Sequence, residues 1–199
     1  MERYHSYQDL KVHEKEGWDY EIHARPGQSG ILVMAPHGGG IEPGTTEIAD
    51  AVAGKDHAYY SFDGRKKKGN TSLHITSRHF DEPIGTSLAE KSEMVIAIHG
   101  CQGKEEVVYV GGLDYVTREE IRQALTSAGF SVRETPRFPG KNARNICNRC
   151  HTRKGVQLEV SYGLRCRMFD DLSRILREGT TLVFNHFVSA LRQALSRSS

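Results

Sequence analysis

The chain has no long apolar run: none of its hydrophobic stretches approaches the roughly 20 residues that a membrane-spanning helix requires, so no membrane partner is expected. Its opening, Met1-Glu-Arg-Tyr-His-Ser-Tyr-Gln-Asp-Leu10, lacks the apolar core of a signal peptide. The expectation is a cytoplasmic product that cell lysis can release. Excess charge is missing too. The 27 Lys and Arg stand against 25 Asp and Glu, a formal net charge of +2, so no global field draws the chain to nucleic acid or an anionic surface. Four cysteines, Cys101, Cys147, Cys150 and Cys166, are too few and too unevenly placed for a disulfide framework, and an unexported chain keeps them reduced. Cys147-Asn-Arg-Cys150-His151 spells the haem-attachment pattern, but covalent haem loading accompanies export. A structural zinc there needs two further ligands, of which only His151 is at hand.

At 199 residues the chain suits one domain, 1–199, able to bury roughly 70% of its unfolded surface, and a monomer is expected. Apolar alternation and continuous apolar runs place strands at Trp18–Ala24, Ile31–Ala35, Ala58–Phe62, Leu73–Thr76, the stretch ending at His99, Glu106–Val110, Phe130–Glu134 and Val156–Val160. Helical patterns occupy Ser6–His13, Glu47–Ala53, Leu88–Ser92, a stretch from a capping box at Thr117 to Ala128, Arg167–Arg177 and Thr181–Leu195. Interleaved strands and helices predict an α/β fold. Its open sheet is mixed and mostly parallel, flanked by helices, because some connections are too short for a crossover helix.

Two stretches end alike. Gly30-Ile-Leu-Val-Met-Ala-Pro-His37-Gly-Gly-Gly-Ile-Glu42 and Ser92-Glu-Met-Val-Ile-Ala-Ile-His99-Gly100 each run an apolar strand into a His followed by Gly. Residues just past the carboxyl ends of parallel strands line the ligand crevice of an open sheet, so the two imidazoles are expected to converge. Glu42 follows His37 across a triple-glycine turn. Two His plus one Glu leave a catalytic zinc an open position; Glu47 is a rival carboxylate, and His74 and His79 are alternative ligands or substrate contacts. Such a centre also needs a general base. In Val156-Gln-Leu-Glu-Val-Ser161 alternation puts Gln157, Glu159 and Ser161 on one face, and a carboxylate inside an apolar strand is costly unless paired or used. Glu159 is therefore the candidate base. The segment 133–154 is dense in cations, and Arg144, Arg149 and Arg165 flank Glu159 most closely, suited to planar pairing with substrate carboxylates.

Ala35-Pro-His-Gly-Gly-Gly-Ile-Glu-Pro-Gly44, His79-Phe-Asp-Glu-Pro83, Ile98-His-Gly100, Asn145-Ile-Cys-Asn-Arg149 and Gln157-Leu-Glu-Val-Ser161 together resemble the poly-γ-glutamate hydrolase family of bacilli and their phages, some members of which are labelled phage-related replication proteins. The resemblance implies a zinc carboxypeptidase-like α/β fold and an amidohydrolase cleaving γ-glutamyl bonds of an anionic glutamyl polymer or oligomer. It implies one zinc ion per chain, with His37, Glu42 and His99 as ligands and Glu159 as general base. The spacing H-x-x-x-x-E departs from the H-x-x-E of ordinary carboxypeptidases and leaves Glu42 and Glu47 both open. A competing class is a phage-associated nucleic-acid-binding protein using the basic segments 65–68 and 133–154; the third is a structural zinc module at Cys147, Cys150 and His151.

Overall fold

The computed structural model describes residues 3–173, 177 and 179–196. Seven strands, β1 (Tyr20–Arg25), β2 (Ile31–Gly39), β3 (Ala58–Gly64), β4 (Met94–Cys101), β5 (Val107–Gly112), β6 (Ser131–Arg133) and β7 (Val156–Ser161), form one sheet in the order β1-β3-β2-β4-β7-β5-β6. The pairs β3–β2, β2–β4, β4–β7 and β5–β6 are parallel, whereas β1–β3 and β7–β5 are antiparallel. The expected mixed, mostly parallel sheet is present. After β2 the chain adds β3 on one side, and β4 then joins β2 on the other, so the boundary between β2 and β4 is a topological switch point.

Alternation along the strands divides the core in two. Ile31, Val33 and Ala35 of β2, Ile96 and Ile98 of β4, and Val156, Leu158 and Val160 of β7 face α2 (Thr45–Ala53), α4 (Tyr115–Ser127) and α6 (Leu182–Leu195). Leu32, Met34, Val95 and Ala97 face the opposite way, against α1 (Tyr7–His13) and residues of two short 3-10 turns, Asn70–Leu73 and Ile146–Arg149. On that second side α3 (Pro83–Lys91) adds Ala89. No described helix is long and apolar enough to cross a membrane.

Several elements depart from the sequence reading, each for a local reason. Helix α3 begins at Pro83 rather than Leu88, because the Glu82 carboxylate accepts from the amides of Ile84 and Gly85 and Pro83 occupies the first turn. Helix α4 begins at Tyr115, capped by Asp114 on the amide of Thr117, so Thr117 lies inside the helix. Leu73 belongs to a 3-10 turn, not a strand. The helix expected over Arg167–Arg177 is replaced at its start by α5 (Tyr162–Met168), after which Phe169 bridges to Thr180 in extended conformation. Its apolar residues serve the core without helical geometry: Phe169 and Leu172 are buried, and Phe169 meets Phe184 of α6 edge-on at 5.3 Å. Residues 174–176 of that stretch lie outside the described residues.

Between β6 and β7 the chain runs through an irregular loop held by Asn148. Its side-chain amide donates to the carbonyls of Gly140 at 2.6 Å and Asn142 at 3.0 Å, and its Oδ1 accepts from the amides of Leu113 at 3.3 Å and Gly155 at 3.1 Å. All four bonding positions of the amide are thus used. Replacing Asn148 by Ala leaves several buried backbone groups unpaired, and each such group costs about 1–3 kcal/mol. Asn148→Ala is expected to lower unfolding free energy by at least about 2 kcal/mol in denaturant titration; an unchanged midpoint would show that the clamp is dispensable.

Candidate active site

The carboxyl ends of β2, β4 and β7 open into a cleft of about 750 Å³. His99 ends the apolar part of β4 and stands opposite Glu159 in the parallel β4–β7 register. His37 reaches the same place by a bulge. From Ala35 to Gly38, β2 advances three residues while β3 advances two, from Ser61 to Asp63. The extra residue reverses the alternation, and Pro36, with no amide hydrogen to give, sits where the ladder is already broken. The chain then turns back, with the amide of Glu42 donating to the carbonyl of His37 at 2.9 Å. Gly39 makes the turn possible: its φ is +61°, and a Cβ there would lie 2.6 Å from the carbonyl oxygen of Gly64.

His37, Glu42 and His99 meet as a result, their ligand atoms all within 4.8 Å of one another. The Nδ1 atoms of His37 and His99 are 3.1 Å apart, Glu42 Oε1 is 3.2 Å from His37 Nδ1, and Glu42 Oε2 is 3.6 Å from His99 Nδ1. A tetrahedral centre with bonds near 2.0–2.2 Å spaces its ligands roughly 3.3–3.6 Å apart. The donor set therefore fits an ion of zinc's size and preferences. His37 Nε2–H donates to the carbonyl of Ile75 at 2.7 Å, which turns the lone pair of a neutral ring at Nδ1 inward, the arrangement expected behind a metal-binding imidazole. The amide of Gly100 donates to Glu42 Oε2 at 2.8 Å. Burial opposes ionisation of Glu42, but the charges and hydrogen bonds of His37 and His99 outweigh it and hold the carboxyl well below the usual range. Among the described residues this is the one such group of His, Cys, Asp and Glu.

Glu159 faces the same cleft. Gln157 donates to its Oε1 at 3.0 Å, and Asn145 donates to Gln157 at 2.8 Å, so a line of side-chain amides fixes the carboxylate. Burial pushes its pKa up to about 7, against the opposing pull of His99, close to the value that suits an acid–base group at neutral pH.

The other candidates are scattered. Glu47, the rival carboxylate, pairs with Arg177 at 2.9 Å on α2, while Glu42 holds the position between the imidazoles. His74 lies against His37, ring centroids 3.9 Å apart, and lines the cleft; His79 is not part of the lining, and among the described residues its buried Nδ1 has no hydrogen-bond partner. The three arginines chosen by proximity in sequence are not in the cleft lining. Arg144 is exposed outside it, and Arg149 binds the carbonyl of Phe80 and the carboxylate of Glu90. Arg165 is 1% exposed, with its guanidinium spent on backbone carbonyls. Arg78, Arg137 and Lys141 line the cleft instead. Arg137 and Lys141 sit on the loop that Asn148 anchors. Arg118, Arg133, Arg149 and Arg167 each close on a carboxylate, but among the described residues these three cleft cations form no ion pair.

A sequence profile described as poly-gamma-glutamate hydrolase matches residues 4–190. The chain belongs to the poly-γ-glutamate hydrolase family. It is 35% identical over 201 residues to the SPbeta prophage-derived protein YoqZ of Bacillus subtilis (strain 168), covering 99% of this chain and 73% of YoqZ. The structure of a bacteriophage poly-gamma-glutamate hydrolase superposes with a TM-score of 0.96 at 33% identity, covering 100% of this chain and 98% of that one. A zinc-free structure of YndL gives 0.94 at 33% identity, covering 100% and 99%.

Among the described residues the cleft is lined by one thiol, Cys101, and that thiol is not primed for attack. Burial, then the charge of Glu159, pushes Cys101 up to about 11; the thiolate is the reactive form. Cys147 and Cys150 are fully buried in the core, which gives no support to haem attachment or a structural zinc. Iodoacetamide is expected to label exposed Cys166 in the folded protein and to spare Cys101, Cys147 and Cys150, as read by peptide mass spectrometry. Rapid labelling of Cys101 would contradict the described cleft.

Proposed function

We propose that this protein is a zinc-dependent hydrolase of γ-glutamyl amide bonds, acting on poly-γ-glutamate as one domain over residues 1–199, with a carboxypeptidase-like division of roles. The observation that carries this reading is the tetrahedral spacing of the His37, Glu42 and His99 donors beside Glu159. The name of the matched family supplies the polymer, and the zinc-free description of YndL supports the choice of metal. His37, Glu42 and His99 would hold one zinc ion per chain, which supplies Lewis acidity toward an amide carbonyl and a water molecule. Glu159 takes the proton of the attacking water and delivers it to the departing amine, aided by its raised pKa and by Gln157, which fixes one oxygen and leaves the other free to act.

A γ-linked glutamyl polymer keeps one free carboxylate on every unit. Arg78, Arg137 and Lys141, which form no ion pair among the described residues, would recognise those carboxylates in the cleft, in place of Arg144, Arg149 and Arg165. The nucleic-acid reading draws no comparable support, since Arg65 and Lys66 are held by Glu21 and Glu14, and Arg133 by Glu105.

Glu159→Gln keeps the shape and removes the base. It is expected to lower kcat by about 10²–10⁴-fold with metal content unchanged; near-normal turnover would refute the assigned role. Arg137→Ala combined with Lys141→Ala is expected to raise KM about tenfold or more with a smaller effect on kcat. Added salt should weaken wild-type binding more than that of the double variant; identical salt responses would remove these cations from substrate recognition.

A further inference from the structure

Helix α5 follows β7 without a loop: Ser161 ends the strand and caps the helix, its hydroxyl accepting from the amide of Leu164. One turn in, Arg165 folds back beneath the ends of the central strands. Its Nη1 donates to the carbonyl of Pro43 at 2.5 Å, its Nη2 to Cys101 at 3.1 Å and its Nε to Val160 at 3.1 Å. Each acceptor sits one or two residues from a different member of the site: Pro43 beside Glu42, Cys101 two beyond His99, and Val160 beside Glu159. The guanidinium lies against Gly100, where a Cβ would come within 2.7 Å of Arg165 Cζ. Gly100 on its other side donates its amide to Glu42. Gly100 thus links Glu42 to Arg165 and leaves no space for a methyl group against the guanidinium.

We propose that Arg165 is a positioning residue for the hydrolytic centre, its single guanidinium fixing the three separate segments that carry Glu42, His99 and Glu159. Burying a cation is costly unless its donors are satisfied. Here the rigid, planar fork matches carbonyls converging from three directions, a task the single ammonium of a lysine cannot perform with the same geometry. The charge also interacts with both Glu42 and Glu159. The chemistry rests on the function proposed above; the positioning itself does not.

Arg165→Lys and Arg165→Met test it, with Gly100→Ala as an independent variant that presses a methyl group onto the guanidinium while leaving Arg165 in place. Three readouts apply: native-state amide exchange, zinc affinity by chelator competition, and kcat with KM on poly-γ-glutamate. In the Arg165 variants the Gly100 amide should lose protection by about tenfold or more relative to Ile96 in the middle of β4. Zinc affinity should fall roughly 10–100-fold, and kcat by about 10²-fold with KM within about twofold. Gly100→Ala should reproduce the zinc and kcat effects. Equal loss of protection along all of β4, with zinc affinity and kcat unchanged, would overturn the proposal in favour of general stability. A rise in KM alone would overturn it in favour of substrate contact. Wild type that neither binds zinc nor cleaves the polymer would refute the proposed function, and the exchange comparison would still judge Arg165.

Discussion

The site depends on one geometric constraint: two strand ends on either side of a topological switch must deliver imidazole nitrogens about 3 Å apart and leave space for a carboxylate between them. Regular alternation achieves this on β4 and β7, where His99 and Glu159 are register partners on one face. It fails on β2, where Ala35 points to the opposite layer. The bulge at Pro36 and His37 resolves the conflict by shifting His37 onto the face of His99. The glycine turn then returns Glu42 to the same point, and the close approach of Gly39 to Gly64 fixes how tight that turn is.

Cations divide into two populations around this centre. Arg165 and Arg177 are buried behind the loops and bonded to backbone: Arg177 reaches the carbonyls of Gly39 and Leu172 as well as Glu47, and Arg165 reaches Pro43, Cys101 and Val160. Arg78, Arg137 and Lys141 line the open side without carboxylate partners among the described residues. The first population holds the backbone beside Glu42, His99 and Glu159 in place. The second presents positive charge to the open cleft.

Much of this was legible in the sequence because it follows local rules. Strand-then-His-Gly at residues 37 and 99 located two members of the cluster, and the alternation of Val156–Ser161 put Glu159 on the cleft face. Ser6 and Thr181 mark helix starts as their chemistry dictates. What escaped was long-range. Proximity in sequence to Glu159 says nothing about whether an arginine faces solvent, a carboxylate or a carbonyl cage, so it does not reveal that Arg78, Arg137 and Lys141, rather than Arg144, Arg149 and Arg165, line the cleft. The Glu82-Pro83 pair carried a readable helix-start signal for α3. The apolar spacing of Met168, Phe169 and Leu172 imitates a longer helix, but α5 ends at Met168 and tertiary packing draws Phe169 and Leu172 into the core beyond it. Glu42 and Glu47 were separated only by the fold, which engages Glu47 with Arg177.

The proposed function requires the cluster of His37, Glu42 and His99 to be a zinc site on which γ-glutamyl hydrolysis depends. The most direct test measures zinc per chain together with poly-γ-glutamate cleavage, in wild type before and after chelation and in His99→Ala. The account predicts one zinc per chain in wild type, loss of metal and activity together in His99→Ala, and recovery of the chelated wild type on adding zinc. Cleavage that persists at full rate in metal-free protein, or in His99→Ala, would contradict it.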